Sequence, residues 1–225
     1  MNYSELSTAI QAYTENTETN FVAEIPVFVK QAEQRIYNSV QFPSIRKNVT
    51  GVMATGNKYM ACPADFLAVY SMALITGVTG SNLNTGTYEY LLNKDVNFIR
   101  QAYPTPNDTG APKYYALFGP QSTNAAELSF IVGPTPNSNY DVELHYYFYP
   151  ESIVTAGTTW LGDNFDTVLL YGSLVEAYTY MKGEADMMGL YNQKYMEALA
   201  LAKRLGDGME RQDAYRNGQF RQAVT

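Results

Sequence analysis

Tyr140-Asp141-Val142-Glu143-Leu144-His145-Tyr146-Tyr147-Phe148-Tyr149 is the stretch on which the fold turns. Val142, Leu144, Tyr146 and Phe148 alternate with Asp141, Glu143, His145 and Tyr147. That period of two predicts an antiparallel strand with one face on a core and the other wet. Residues 133–139, with Pro134 and Pro136, form the turn before it. Working back, residues 114–118 and 127–132 read as strands and residues 104–112 as a loop. Asp95 is placed to N-cap a short helix carrying Val96, Ile99 and Ala102, stopped by Pro104. Residues 88–92 read as a strand, 77–86 as a polar loop and 66–75 as a buried strand. Thr55-Gly56-Asn57, between Val49, Val52 and Ala54 on one side and residues 59–61 on the other, has the pattern of a hairpin turn.

Outside this β-rich middle the period changes to that of a helix. Tyr3, Leu6, Ile10 and Tyr13 mark one face of a short amphipathic helix, and residues 14–20 break it. Ile25, Phe28, Ala32 and Ile36 give a second helix, with Pro26 expected in its first turn and Pro43 at its end. After Gly162, Asp163 and Asp166 resemble a capping arrangement, with acids at the positive end of a helix. Leu170, Leu174, Ala177, Tyr178 and Met181 form one stripe. Residues 183–189 contain a connection, and Tyr191, Tyr195, Ala198, Ala202 and Leu205 form a second stripe. This predicts a helical hairpin with arms of about twenty residues. The expected class is α+β: an antiparallel helical bundle from residues 1–44 and 163–205, a β-rich insertion at 45–162, and an extended tail at 206–225.

Composition narrows the chemistry. The chain has 225 residues, of which 46% are hydrophobic and 16% charged, enough to bury a sizeable core. A formal net charge of −7 argues against general affinity for nucleic-acid phosphates. The single Cys62 and the single His145 exclude an intrachain disulfide, a Cys/His zinc site and a multi-histidine metal centre. There is no P-loop, no Gly-x-Gly-x-x-Gly and no Gly-x-Ser-x-Gly. A Ser-His-Asp triad would need His145, which sits at an outward strand position with no motif around a candidate serine. Asp65, Asp95, Asp141, Glu143, Asp163 and Asp166 are the candidates for a glycosidase pair. Asp163 and Asp166 read better as helix-start acids, and Asp141 and Glu143 as the wet face of a strand. Residues 162–166 are too sparse in acids for calcium. Cys62, beside Pro63, reads as a buried structural thiol. Arg46-Lys47 and Lys203-Arg204 are not nucleic-acid patches, and the latter pair suits a helix C-terminus. The residues therefore read as a non-catalytic structural protein with no cofactor and no metal.

Residues 1–11 lack the basic and apolar regions of a secretory signal. No stretch approaches the roughly 20 apolar residues of a membrane span. The sequons at Asn2, Asn48 and Asn107 are accordingly read as chance. Tyrosine, at 20 copies against one Trp, suits half-buried sheets and subunit interfaces. Residues 206–225 are polar and Gly-broken, with few apolar anchors. Such a segment is expected to be disordered alone and to order on a second polypeptide.

Several segments together resemble the adaptor proteins of tailed-phage necks. They are Tyr3-Ser4-Glu5-Leu6, Ile25-Pro26 with Gln31-Ala32-Glu33-Gln34-Arg35-Ile36, and Cys62-Pro63-Ala64-Asp65-Phe66-Leu67. Gly110-Ala111-Pro112-Lys113-Tyr114-Tyr115-Ala116 is similar to a strand of that family. So are Pro134, Pro136 and Tyr140 leading into Leu144-His145-Tyr146-Tyr147, and Leu169-Leu170-Tyr171-Gly172-Ser173-Leu174-Val175-Glu176-Ala177 with Tyr180-Met181-Lys182, to later elements. The resemblance spans most of residues 3–205 and implies a virion protein of the neck, assembled in the host bacterial cytoplasm. It implies a head-to-tail ring of twelve subunits with the portal protein above, tail or nozzle proteins below, and no enzyme activity. DNA would pass through an acidic channel without specific binding. Tyr215, Arg216, Phe220 and Arg221 are the expected anchors of the tail on the portal or a neighbouring subunit. The rival readings are a tail terminator or tail-tube ring, a receptor- or carbohydrate-binding tail protein, and a glycan-cleaving enzyme.

Overall fold

The computed structural model describes residues 1–40, 42–119 and 128–210, with side chains described up to Gly206. In chain order the helices are α1 (Tyr3–Thr14), α2 (Thr19–Ser39), α3 (Val96–Ala102), α4 (Ile153–Ala156), α5 (Trp160–Asn164), α6 (Asp166–Met181) and α7 (Ala185–Glu210). The strands are β1 (Arg46–Met53), β2 (Tyr59–Ala61), β3 (Ala68–Thr76), β4 (Thr87–Tyr90), β5 (Leu92–Asn93), β6 (Thr109–Gly110), β7 (Tyr114–Gly119), β8 (Ser129–Gly133), β9 (Thr135–Pro136) and β10 (Tyr140–Tyr147). The class is α+β, as the two periodicities require. The chain divides into two compact units, one of residues 1–45 with 149–225 and one of residues 46–148.

The first unit is helical. Asn2 and Glu5 form a reciprocal capping box at the start of α1, each side chain accepting the other's backbone N–H at 2.9 Å. Capping satisfies two donors that a helix start otherwise leaves unpaired. Helix α6 packs against α1, α2, α5 and α7. It therefore buries more than the one predicted stripe: Val168, Leu169, Gly172 and Ser173 are buried with Leu170, Leu174 and Ala177. A Cβ on Gly172 would lie 3.2 Å from both the Ala32 methyl and the Tyr195 ring, so this glycine sets the closeness of three helices. On α7, Tyr191, Tyr195, Ala198, Leu199 and Ala202 are buried.

The structure corrects several details of this unit. Pro26 is not in the first turn of α2 but eight residues into a helix that begins at Thr19. Asp163 and Asp166 lie in the first turns of α5 and α6, as helix-start acids do, but neither is an N-cap. Thr159 caps α5 by accepting the Gly162 N–H at 3.2 Å, and α6 follows Phe165 without a side-chain cap. Leu205 is 47% exposed, and Gly206 takes the buried position one step on. The hairpin arms are unequal, 16 and 26 residues, because neither Gly206 nor Gly208 breaks α7. Lys203 and Arg204 accordingly lie inside α7, not in its last turn. Residues 149–162, expected in the insertion, carry α4 and α5 and group with the helices.

The second unit is a β-sandwich. One sheet has the order β1-β10-β3-β4 with every neighbour antiparallel, and the other has the order β2-β8-β7-β5. Met72, Leu74, Val142, Leu144 and Tyr146 of the first sheet meet Tyr115, Phe130 and Val132 of the second in one core. Helix α3 covers the far side of the second sheet, with Ile99 packed on Ala116 and Ile131. Asp95 caps α3 as expected, accepting the Asn97 N–H at 2.7 Å. The expected hairpin around Gly56 does not form. β1 pairs with β10 and β2 with β8, so residues 54–58 carry the chain from one sheet to the other. Residues 88–92 are likewise two strands in different sheets, β4 and β5, broken at the buried Leu91. A sandwich needs such crossings, and local sequence does not distinguish them from hairpin turns.

Candidate interaction surfaces

Strand β10 builds the first surface. Its alternation places Val142, Leu144 and Tyr146 in the core and leaves Asp141, Glu143, His145 and Tyr147 on the outer face, as the sequence pattern predicts. The register aligns these with Val52, Thr50, Asn48 and Arg46 of β1. On the other flank His145 lies opposite Ser71, and Glu143 and Asp141 lie opposite Ala73 and Ile75. Ala73 and Ile75 in turn lie opposite Tyr90 and Tyr88 of β4.

Aromatic side chains gather at both ends of this face. At one end the Arg46 guanidinium sits 4.9 Å from the Tyr70 ring centre. Tyr70 meets Tyr147 edge-on at 5.9 Å and His145 at 6.4 Å. His145 Nε2 is 3.9 Å from a Glu143 carboxylate oxygen. At the other end Tyr90 is 70% exposed. Exposed tyrosine with arginine is the composition of a protein interface. Sequence reading did not single out Tyr70, Tyr88 and Tyr90 as candidates for such a surface, although the tyrosine count was the signal that could have found them.

Beneath this face lies a polar staple. Asp65 accepts from the Tyr146 hydroxyl at 2.7 Å and from Lys47 Nζ at 2.8 Å. The Lys47 hydrogen bond holds the Asp65 carboxyl below its ordinary range, and Asp65 in turn raises the Lys47 ammonium. Arg46 and Lys47, adjacent in sequence, thus point to opposite faces of β1 and have separate partners. Cys62 is buried, and burial pushes its thiol up to about 12, which makes it an inert core residue.

The helical unit offers a polar and an apolar surface. Arg35 pairs with Glu176 across an open depression lined by Gln31, Gln34, Asn38 and Ser39. Within the same segment Glu33 is buried and accepts the Ile153 N–H at 2.9 Å, fixing the start of α4. Burial is the larger influence on Glu33 and raises it, against the lowering effect of that hydrogen bond. Along α7 the exposed Leu190, Leu201 and Leu205 share one face with a Lys194–Glu197 pair. The spacing of 190, 194, 197, 201 and 205 is itself a helical stripe that sequence reading could have found. On the inner side Tyr191 is the centre of a tyrosine cluster, 4.9 Å from Tyr178, 6.2 Å from Tyr171 and 6.4 Å from Tyr13.

The candidate acids fall at several places in the fold, with Asp141, Glu143 and His145 together on the outer face of β10. Asp95 is a helix cap, Asp65 a staple, Asp163 and Asp166 lie on α5 and α6, and His145 and Glu143 share an outer strand face. Among the described residues no group of three or more His, Cys, Asp or Glu is placed to hold a metal ion. No helix among them is long and apolar enough to cross a membrane. The expected anchors Tyr215, Arg216, Phe220 and Arg221 lie outside the described residues. A family model for the SU10 adaptor protein matches residues 1–222. No curated protein matches the chain.

Proposed function

The chain belongs to the SU10 adaptor protein family, structural adaptors of phage virions, and from that membership we propose that it forms a ring joining the capsid portal to the tail. The ring has twelve copies, binds the portal protein on one side and tail or nozzle proteins on the other, and lines the DNA exit channel. The observation that carries this reading is the exposed apolar and aromatic surface just described. Tyr70, Tyr88 and Tyr90 on one sheet, and Leu190, Leu201 and Leu205 on α7, are exposed aromatic and apolar side chains of the kind that subunit contacts cover. A closed ring uses a head-to-tail contact repeated until it closes, which would cover such surfaces. With −7 on each copy, the assembly repels the DNA backbone, and the genome passes without sticking. Tyr215, Arg216, Phe220 and Arg221 dock the C-terminal segment on the portal or a neighbouring subunit.

Sedimentation of the purified protein, alone and mixed with the portal ring of the same virus, tests the proposal. The expected result is a stoichiometric portal complex. Absence of co-sedimentation overturns the portal reading and favours a tail-tube or receptor-binding role. Deletion of residues 211–225 is expected to abolish or strongly weaken the complex. If the complex is unchanged, the docking role of the tail is wrong.

A further inference from the structure

The four-stranded sheet β1-β10-β3-β4 ends in two open edges. Every neighbouring pair in it is antiparallel. With four alternating strands, β1 and β4 run in opposite directions. A second copy placed beside the first in the same orientation therefore presents its β4 antiparallel to β1. An odd number of strands would present the two edges parallel.

The edges also suit one another chemically. Residues 47–52 of β1 are all exposed, and so are all four residues of β4. Edge strands are normally blunted by proline, bulges or inward-pointing charge. β1 has no proline and no bulge, pairing with β10 in unbroken register over eight residues, and the charges at inner-face positions of the two edges, Lys47 on β1 and Glu89 on β4, are of opposite sign, so that pairing these edges sets them against each other. Its outer face offers Asn48, Thr50 and Val52, and β4 offers Tyr88 and Tyr90 on the same face of the sheet. Aromatic side chains opposite β-branched ones are among the favourable cross-strand pairs. The β1 strand carries Arg46 and Lys47 and no acid, while β4 carries Glu89 and no base.

We propose that β1 of one copy pairs with β4 of the next, so that adjacent subunits share one continuous antiparallel sheet. The proposal rests on the ring reading, because this contact is head-to-tail and propagates from copy to copy. An isologous β1–β1 pair would stop at two copies and leave the β4 tyrosines uncovered.

Disulfide trapping tests it in the full chain. Cysteine is placed at one β1 position (Asn48→Cys or Thr50→Cys) and one β4 position (Tyr88→Cys or Tyr90→Cys), four combinations in all. Within one chain these edges are three strand spacings apart, about 14 Å, beyond the roughly 7 Å that a disulfide spans. The native Cys62 is buried. Any new disulfide is therefore intermolecular.

Each double variant is oxidised alone and with the portal ring. At least one combination is expected to move most of the chain into reducible multimers larger than a dimer, while each single variant stays largely monomeric on a non-reducing gel. Portal-bound rings without these multimers would overturn the edge pairing and leave the ring reading standing. Dimers from Asn48→Cys or Thr50→Cys alone would overturn it in favour of an isologous contact. A chain that neither binds the portal nor cross-links would overturn both.

Discussion

Asp65 shows how one side chain can serve two elements. Its carboxylate is the acceptor for the hydroxyl of Tyr146, which is 1% exposed, and it also holds Lys47 on β1. Asp65→Ala leaves that buried hydroxyl without its acceptor, an expected loss of about 1–3 kcal/mol. Tyr146→Phe removes donor and need together and is expected to cost under about 1.5 kcal/mol. Urea unfolding of both variants and of the double variant checks this, and equal costs for the two would refute it. The Lys47 pair is largely solvated and adds little by itself. The pH dependence follows from the direction of the Asp65 shift. A carboxyl lowered on folding contributes stability that is present above its unfolded value of 3.8 and lost as pH falls through the folded one. The midpoint difference between wild type and Asp65→Asn is therefore expected to shrink on acidification below about pH 4. A difference that persists unchanged at pH 2 would show that the carboxylate charge has no part in it.

Among the elements, α6 is the one through which the helical unit is organised, and Gly172 is where it is most tightly engaged. The space left between Ala32 and Tyr195 admits a methyl group only with a small shift of its neighbours. In Gly172→Ala the gain in helix propensity, about 1 kcal/mol, offsets that strain, and little net change is expected. Gly172→Val has no such compensation and is expected to cost about 1–3 kcal/mol through overpacking. The urea midpoint of the two variants separates these outcomes, and a stabilised valine variant would show that the helices are not in close contact here. This crossing also accounts for two segments that carried the family resemblance. Ala32 packs at Gly172, Glu33 holds α4, and Arg35 reaches Glu176.

For the whole molecule, the decisive feature is how the chain enters and leaves the sandwich. β1 and β10 are paired from Arg46 opposite Tyr147 to Met53 opposite Tyr140. The two ends of this unit are therefore neighbours, and its core is made from its own residues. A polypeptide of residues 46–148 is expected to fold alone, with a β-type circular dichroism spectrum and a cooperative thermal transition. Residues 1–45 joined to 149–225 by a short Gly-Ser linker are expected to keep their helices. An unfolded 46–148 fragment would show that the sandwich needs the helical residues for stability.

Periodicity alone determined the class of this protein, because burial on one face imposes a period of 3.6 on a helix and two on a strand. Hence α1, the buried stripe of α6 at Leu170, Leu174 and Ala177, α3 with its Asp95 cap, and the two faces of β10 were legible in the residues. So was the nature of Cys62, from its apolar surroundings. The tertiary structure alone decided which strands pair. The residues around Gly56 and Leu91 look the same whether the chain turns back in one sheet or crosses to the other, since the competing partners are distant in sequence. It also decided that α7 runs past Gly206 to Glu210, for a single glycine lowers helix propensity by only about 1 kcal/mol, which an otherwise formed helix can carry. The interface candidates divide in the same way. An abundance of tyrosine was visible, but only the register of β1, β10, β3 and β4 gathers Tyr70, Tyr88, Tyr90 and Tyr147 on one face, because sheet neighbours are set by hydrogen bonding across the chain and not along it.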